Sequence, residues 1–223
     1  MSDKNRLFTD PAVRRRSIER CLELTARYEL CGVDIDYEYP DNETQWRRYG
    51  VFLRELSDAL KKEGRMLSTA LSPWGITLQP EEIRCLDYVN IMAYDLGDKQ
   101  GRHSTYTLAD TSIAYFEKLG FSPSKLVLGL AFYGVSTIQV DAPHSGHPYA
   151  RYVQQFGDRV KTDTNQVEDI YFTGRDMNRD KTLLAIRRGL SGVFYWNFAC
   201  DIPYEDERCL LRGVGETIRR FTR

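Results

Sequence analysis

An excess of charge of either sign is missing from this 223-residue chain: 31 Lys and Arg stand against 32 Asp and Glu, for a formal net charge of -1. Nucleic-acid binders carry a basic excess or a basic stripe, so no nucleic-acid partner is expected. Long hydrophobic runs are missing too. No stretch reaches the roughly 18 apolar residues of a membrane-spanning helix, so no membrane partner is expected. The N-terminal MSDKNRLFTDPAVRRR has no apolar run of the kind a secretory signal carries. Histidine is scarce, with His103, His144 and His147 the only three. His144 and His147 sit three apart in a Pro/Gly-rich loop with no Cys close by, so no metal and no cofactor is expected. Cysteine is limited to Cys21, Cys31, Cys85, Cys200 and Cys209, an odd number with no pair at metal-ligand spacing. Free or buried thiols are the reading, rather than a disulfide framework. Internal repeats, low-complexity tracts and linkers are absent, so residues 1–223 are read as a single domain. What is present in quantity is aromatic: 12 % of the chain, including 14 Tyr. Aromatics stack on flat ligands and also fill cores.

Punctuation and periodicity give the order of elements. Asp10 and Pro11 open a helix over 11–30 with apolar positions at Ile18, Leu22 and Ala26. Residues 32–38 alternate as a strand. A helix opened at Asn42 or Thr44 carries Trp46, Tyr49, Leu53, Leu56 and Leu60 and stops at Gly64. Strands are expected at 66–72, 86–94, 126–133 and 192–198, and helices at 111–119, 176–188 and 206–221, with Gly120 and Gly189 as stops. Residues 134–168 read as a long polar loop. Strands alternating with helices imply βαβ units and a parallel sheet of five strands. The length is somewhat short of the about 250 residues typical of an eight-fold α/β barrel.

The most specific segment is C-G-V-D-I-D-Y-E-Y-P at 31–40. Strand period places Asp34, Asp36 and Glu38 on one face, roughly 6.5–7 Å apart, with Val33, Ile35 and Tyr37 on the other. The acids are expected to line a barrel interior with Glu38 at the C-terminal strand end, where such folds place their chemistry. Carboxylates buried in a row titrate together, and at least one is held protonated near neutral pH, as a general acid requires. The alternative readings are an exposed strand of alternating polarity and a divalent-cation site.

This segment resembles the D-G-x-D-x-D-x-E-Y-P signature of the family 18 glycoside hydrolases, the chitinase-like (β/α)8 barrels. Gly32, Asp34, Asp36, Glu38, Tyr39 and Pro40 match, and Cys31 stands where the first Asp is usual. N-I-M-A-Y-D at 90–95, L-G-L-A-F-Y-G at 128–134 and G-V-F-Y-W-N at 192–197 are similar to later motifs of the family, in the same order. The resemblance implies hydrolysis of β-1,4-linked N-acetylglucosamine polymers (chitin) with retention, in which the substrate's own acetamido group is the nucleophile. It implies Glu38 as proton donor, Asp36 orienting the acetamido group, Asp34 tuning both, and Tyr94 hydrogen-bonding the acetamido oxygen. It implies Asp95 and Met92 at the sugar and Trp196 as its apolar floor. Tyr133 and Trp74 are further candidates, each open to a packing role, and Asp201 and His103 are candidates on the presumed active face. The implied partner is chitin or an N-acetylglucosamine oligosaccharide.

The departures matter too. Ala131 replaces a usual Pro, and Val135 stands where the family often has Arg. Residues 134–168 are too few for the extra small domain of some members, which implies a shallower cleft. The motifs correspond to strands four to eight with their helices, so a partial barrel is expected. The first three strands would come from a missing N-terminal segment or from a second chain. Competing functions are a sugar-binding, non-catalytic relative or inactive fragment, and an endo-N-acetylglucosaminidase acting on glycans or peptidoglycan. Family members are often secreted, but this sequence does not assign a compartment.

Overall fold

The computed structural model describes residues 6–138 and 146–222. Five parallel strands form the main sheet: β1 (Gly32–Asp36), β2 (Met66–Leu71), β3 (Tyr88–Ile91), β4 (Leu126–Ala131) and β9 (Gly192–Trp196), hydrogen-bonded in that order. The crossovers are helical: α3 (Glu43–Lys62), α4 (Pro80–Cys85), α5 (Tyr106–Lys118) and α7 (Arg175–Arg187), with α1 (Arg6–Thr9) and α2 (Pro11–Arg27) before β1 and α8 (Leu210–Phe221) after β9. This is the expected α/β order. The sheet is open, with β1 and β9 as its outer strands.

The long helices form where caps and apolar spacing coincide. The Asp10 carboxylate accepts from the Ala12 and Val13 amides at the start of α2, and the Asn42 side chain accepts from the Gln45 amide to open α3. Helix α3 buries Trp46, Tyr49, Phe52, Leu53, Leu56 and Leu60 against the outer face of the sheet. From there the Tyr49 hydroxyl lies 2.6 Å from Thr69 Oγ1, which itself donates to the Ile35 carbonyl at 2.7 Å. Since Thr69 spends its only proton on β1, Tyr49 is the donor, and one buried chain ties α3 through β2 to the acidic strand. Helix α5 starts at Tyr106, five residues before the expected Thr111, because the Thr105 hydroxyl caps it by accepting from the Leu108 amide.

Three sequence expectations are corrected. Residues 134–168 are not a plain loop. They carry β5 (Tyr133–Ser136), β6 (His147–Pro148), α6 (Tyr149–Phe156) and β7 (Gln166–Val167), and with β8 (Ile170–Phe172) the strands form an antiparallel sheet ordered β6-β5-β8-β7. Strands of two to four residues show no readable alternation. Helices α1 and α4 were not foreseen, both being under two turns long. The last helix begins at Leu210 rather than 206, where the Asp201 carboxylate accepts from the Leu210 and Leu211 amides. All five cysteines are free.

Candidate active site

The acidic strand alternates as read. Val33, Ile35 and Tyr37 pack against the helix-covered core, and Asp34, Asp36 and Glu38 share the other face. The expectation that the acids are buried in a closed interior is corrected: all three are exposed. They stand on an outer strand of an open sheet, so water solvates much of what an enclosed row of carboxylates would have to neutralise, although the Asp36 carboxyl keeps some desolvation. Asp34 is nevertheless tied down. Its Oδ1 accepts from Ser68 Oγ at 2.6 Å and from Asn90 Nδ2 at 2.9 Å, donors presented by the next two strands. Asp36 keeps the perturbation expected of a carboxyl between two others. Its partial burial first, then the charges of Glu38 and Asp34 and a hydrogen bond with Glu38, push it up to about 6.

The remaining residues arrive from the C-terminal ends of the other strands. Tyr94 follows β3 and is buried. Burial, then the charges of Asp95, Asp36 and Glu38, push its phenol above the ordinary value, so it remains a proton-bearing donor. Gly129 on β4 makes room for it: a Cβ there would lie 2.8 Å from the Tyr94 ring and 2.5 Å from the Ile91 carbonyl oxygen. Asp95 adopts a left-handed φ of 60°, and its Oδ1 accepts from the Tyr133 hydroxyl. Gly146 lets the chain pass beside the Tyr133 ring, where a Cβ would approach to 2.6 Å. Trp196 ends β9 and is 57 % exposed. The peptides Glu38–Tyr39 and Trp196–Asn197 are cis.

These side chains meet. Asp36, Glu38, Met92, Tyr94, Asp95 and Trp196 line one cleft of about 150 Å³. A second hollow of about 210 Å³ shares Asp95 and Trp196 with it and adds Tyr133, Pro148, Asn197 and Cys200. Asp34 sits one strand-repeat below, off the cleft lining. Trp74, 41 % exposed past the end of β2, lines neither hollow; its ring lies 5.6 Å from that of Tyr39. Asp201 is corrected to a structural cap of α8, holding the amides of Leu210 and Leu211 as well as the Cys209 thiol. His103 is buried against Tyr133, so it does not line either hollow. His147 lies exposed in β6, and His144 lies outside the described residues. Among the described residues no group of three or more His, Cys, Asp or Glu is placed to hold a metal ion, and no helix is long and apolar enough to cross a membrane. Sequence reasoning passed over Asn90 and Ser68 as partners of Asp34. Asn90 heads the quoted N-I-M-A-Y-D segment, and strand period alone puts it on the face of Met92.

Acids and aromatics thus gather at the carboxyl ends of parallel strands, the rim at which α/β barrels carry their sites. Residues 4–208 match the glycosyl hydrolases family 18, and the chain belongs to that family. It is similar to a probable chitinase 10 of Drosophila melanogaster, 30 % identical over 170 residues, which cover 64 % of this chain and 7 % of the fly protein. The solved chitinase of Bacteroides thetaiotaomicron is similar over 94 % of this chain and 70 % of that one, at 28 % identity and a TM-score of 0.84. A family 18 chitinase of Cycas revoluta, solved as a mutant with (GlcNAc)4, shares the fold at a TM-score of 0.79 and 23 % identity, over 95 % of this chain and 75 % of that one.

Proposed function

We propose that the chain hydrolyses β-1,4-linked N-acetylglucosamine polymers, chiefly chitin, with retention of configuration, and that Glu38 is the proton donor. Convergence carries this reading: an acid pair, a buried phenol, a further carboxylate and an exposed indole, from three strands, line one cleft. Family membership and chitinase relatives support it, as does the oligosaccharide bound by the Cycas protein. In the proposed step the Glu38 carboxyl gives its proton to the glycosidic oxygen as the C1–O bond breaks. The acetamido carbonyl oxygen of the same sugar closes on C1, forming an oxazolinium ion. Asp36 faces the positive charge that develops there, and Tyr94 donates to the acetamido oxygen. Water then opens the ring, returning a proton to Glu38. Trp196 offers its indole face to the pyranose C–H face, and Met92 and Asp95 complete the walls. Asp34 acts on Asp36 by its charge. Tyr133 holds Asp95, and Trp74 extends the aromatic surface beside Tyr39.

The same reading makes the five parallel strands strands four to eight of an eight-stranded barrel. A further N-terminal segment or a second chain would then meet the β1 and β9 edges. The test is the anomer formed. Proton NMR of chitotetraose digests should show the β-anomer of the new reducing end first; the α-anomer first would overturn the substrate-assisted course. Saturable oligosaccharide binding without products would instead favour a sugar-binding relative.

The position of Asp36 gives a pH prediction in two readouts. Asp36 holds its proton up to about 6 and shares a hydrogen bond with Glu38. kcat/KM should therefore rise as pH rises through about 6, where Asp36 gains the charge that faces the oxazolinium ion, and residual activity of Asp36→Asn should lack that limb. Stability has the following sign. Below the ordinary value of 3.8 both folded and unfolded chains hold the proton, and Asp36 contributes nothing. Between 3.8 and about 6 only the folded chain holds it, so stability falls with rising pH; above about 6 the penalty is complete. Asp36→Asn should therefore raise Tm at pH 7 and leave it nearly unchanged at pH 3.5. An equal shift at both would refute the assignment.

A further inference from the structure

Beneath the cleft lies a buried polar cluster that the proposed chemistry does not use. Lys181 on α7 is 0 % exposed. Its Nζ donates to both oxygens of Ser104, the backbone carbonyl and Oγ, the latter at 2.9 Å; no carboxylate meets it among the described hydrogen bonds and ion pairs. Burial lowers its ammonium to about 7. Ser104 adopts a left-handed φ of 50°, which a non-glycine residue takes up only where its surroundings hold it. The preceding residue, His103, is 2 % exposed, and its imidazole faces the backbone of Tyr133. Burial and then the nearby Lys181 charge, against an opposing hydrogen bond with the Tyr133 backbone, push its imidazole down to about 3, so it is neutral. Its ring lies 5.0 Å from that of Tyr133 and 6.1 Å from that of Tyr171. Tyr133 in turn donates to Asp95 at the cleft.

A fully buried lysine with only serine oxygens for partners is a costly way to anchor one turn. A shorter polar or an apolar residue would fill the same space. The cost is intelligible if the anchored turn sets something sensitive to position. The segment 96–105 leaves the cleft at Asp95 and returns at His103, whose ring packs against that of Tyr133. Lys181, Ser104, His103, Tyr133 and Asp95 thus form one contiguous line from the core of α7 to the cleft wall.

We infer that Lys181 and His103 are positioning residues for Asp95: they fix Tyr133 from below, so that its hydroxyl holds the Asp95 carboxylate in one place. The functional consequence rests on the proposed reading of Asp95 as a sugar contact. Displacements of a group at a reacting centre by about 1 Å cost up to about 10²-fold in rate, so the line has leverage although Lys181 and His103 touch no substrate.

The test uses Lys181→Met, which keeps the length and removes the donor, and His103→Phe, which keeps the ring and removes the nitrogens. Each is made alone and with Tyr133→Phe. In the unliganded chain, amide ¹H–¹⁵N signals of Tyr133 and Asp95 should move in both single variants, while those of distant β1 and α2 stay in place. In fluorophore release from a diacetylchitobioside, kcat should fall by about tenfold with KM changed less than about twofold. Within Tyr133→Phe neither variant should lower kcat further, because the link has already been cut. Fully additive losses, or unmoved Tyr133 and Asp95 signals, would overturn the inference. If the unsubstituted chain releases no fluorophore, it is the proposed hydrolysis that fails, and the amide signals alone decide the positioning. If Lys181→Met does not fold, His103→Phe carries the same comparison.

Discussion

Glu38→Gln should lower turnover of a diacetylchitobioside by about 10²- to 10⁴-fold, the usual contribution of a positioned general acid, with the fold and oligosaccharide binding intact. Glutamine matches glutamate in size and cannot give up a proton to the glycosidic oxygen. The residue is exposed and follows the last paired position of β1, so little packing depends on it. A second effect comes with the first. Glu38 is one of the charges that push Asp36 up, so in the variant Asp36 should lose its proton at lower pH, visible in a carboxyl ¹³C titration. Circular dichroism should be unchanged. Turnover that survives Glu38→Gln would remove Glu38 from the acid role, whatever the family membership.

The largest stability effect is expected on the opposite side of the sheet. Phe116→Ala should cost about 3–5 kcal/mol, as for other fully buried aromatic truncations that leave a cavity. Phe116 is completely buried in α5, and its ring sits 5.5 Å from that of Phe121. The contact is built into the helix end. Gly120 takes φ 98°, the Phe121 amide donates to the Phe116 carbonyl at 3.1 Å, and the Gly120 amide donates to Glu117 at 3.0 Å. This is the paired-bond helix stop that brings the residue after the glycine back onto the last turn. Alanine at 116 removes both the core filling and the apolar contact that seats this stop. Urea unfolding should show a lower midpoint at constant m. A loss under about 1 kcal/mol would mean that the neighbours close over the gap.

Much of this was legible in the sequence because several local signals agreed. Helix α3 has a side-chain cap at Asn42, a regular apolar stripe and Gly64 beyond its end, and the five main strands are short apolar or alternating runs between such helices. The acid face of β1 follows from period two alone, and the meeting of Asp36, Glu38, Met92, Tyr94, Asp95 and Trp196 follows from all of them ending strands on one side of a parallel sheet. Exposure was not legible, since it depends on which strand is outermost, and alternation reads alike at an edge and at a centre. Asp201 looked like a rim residue because its partners, the amides of Leu210 and Leu211, carry no mark in the sequence. The small antiparallel sheet was hidden by strands of two to four residues, and the line from Lys181 to Asp95 by a 77-residue separation between Lys181 and Ser104.

The strand order has a geometric consequence for the cleft. Neighbouring strands lie about 4.8 Å apart, so a flat five-stranded sheet would hold β1 and β9 about 19 Å from each other. Yet Glu38 beyond β1 and Trp196 at the end of β9 line one cleft of about 150 Å³. The sheet must therefore curl, and the distance between acid and indole is a reading of its curvature. Residues of α3, α5 and α7 pack on the convex side of that curl. Substitutions in that distant core will change the gap between the two rims of the cleft without touching either.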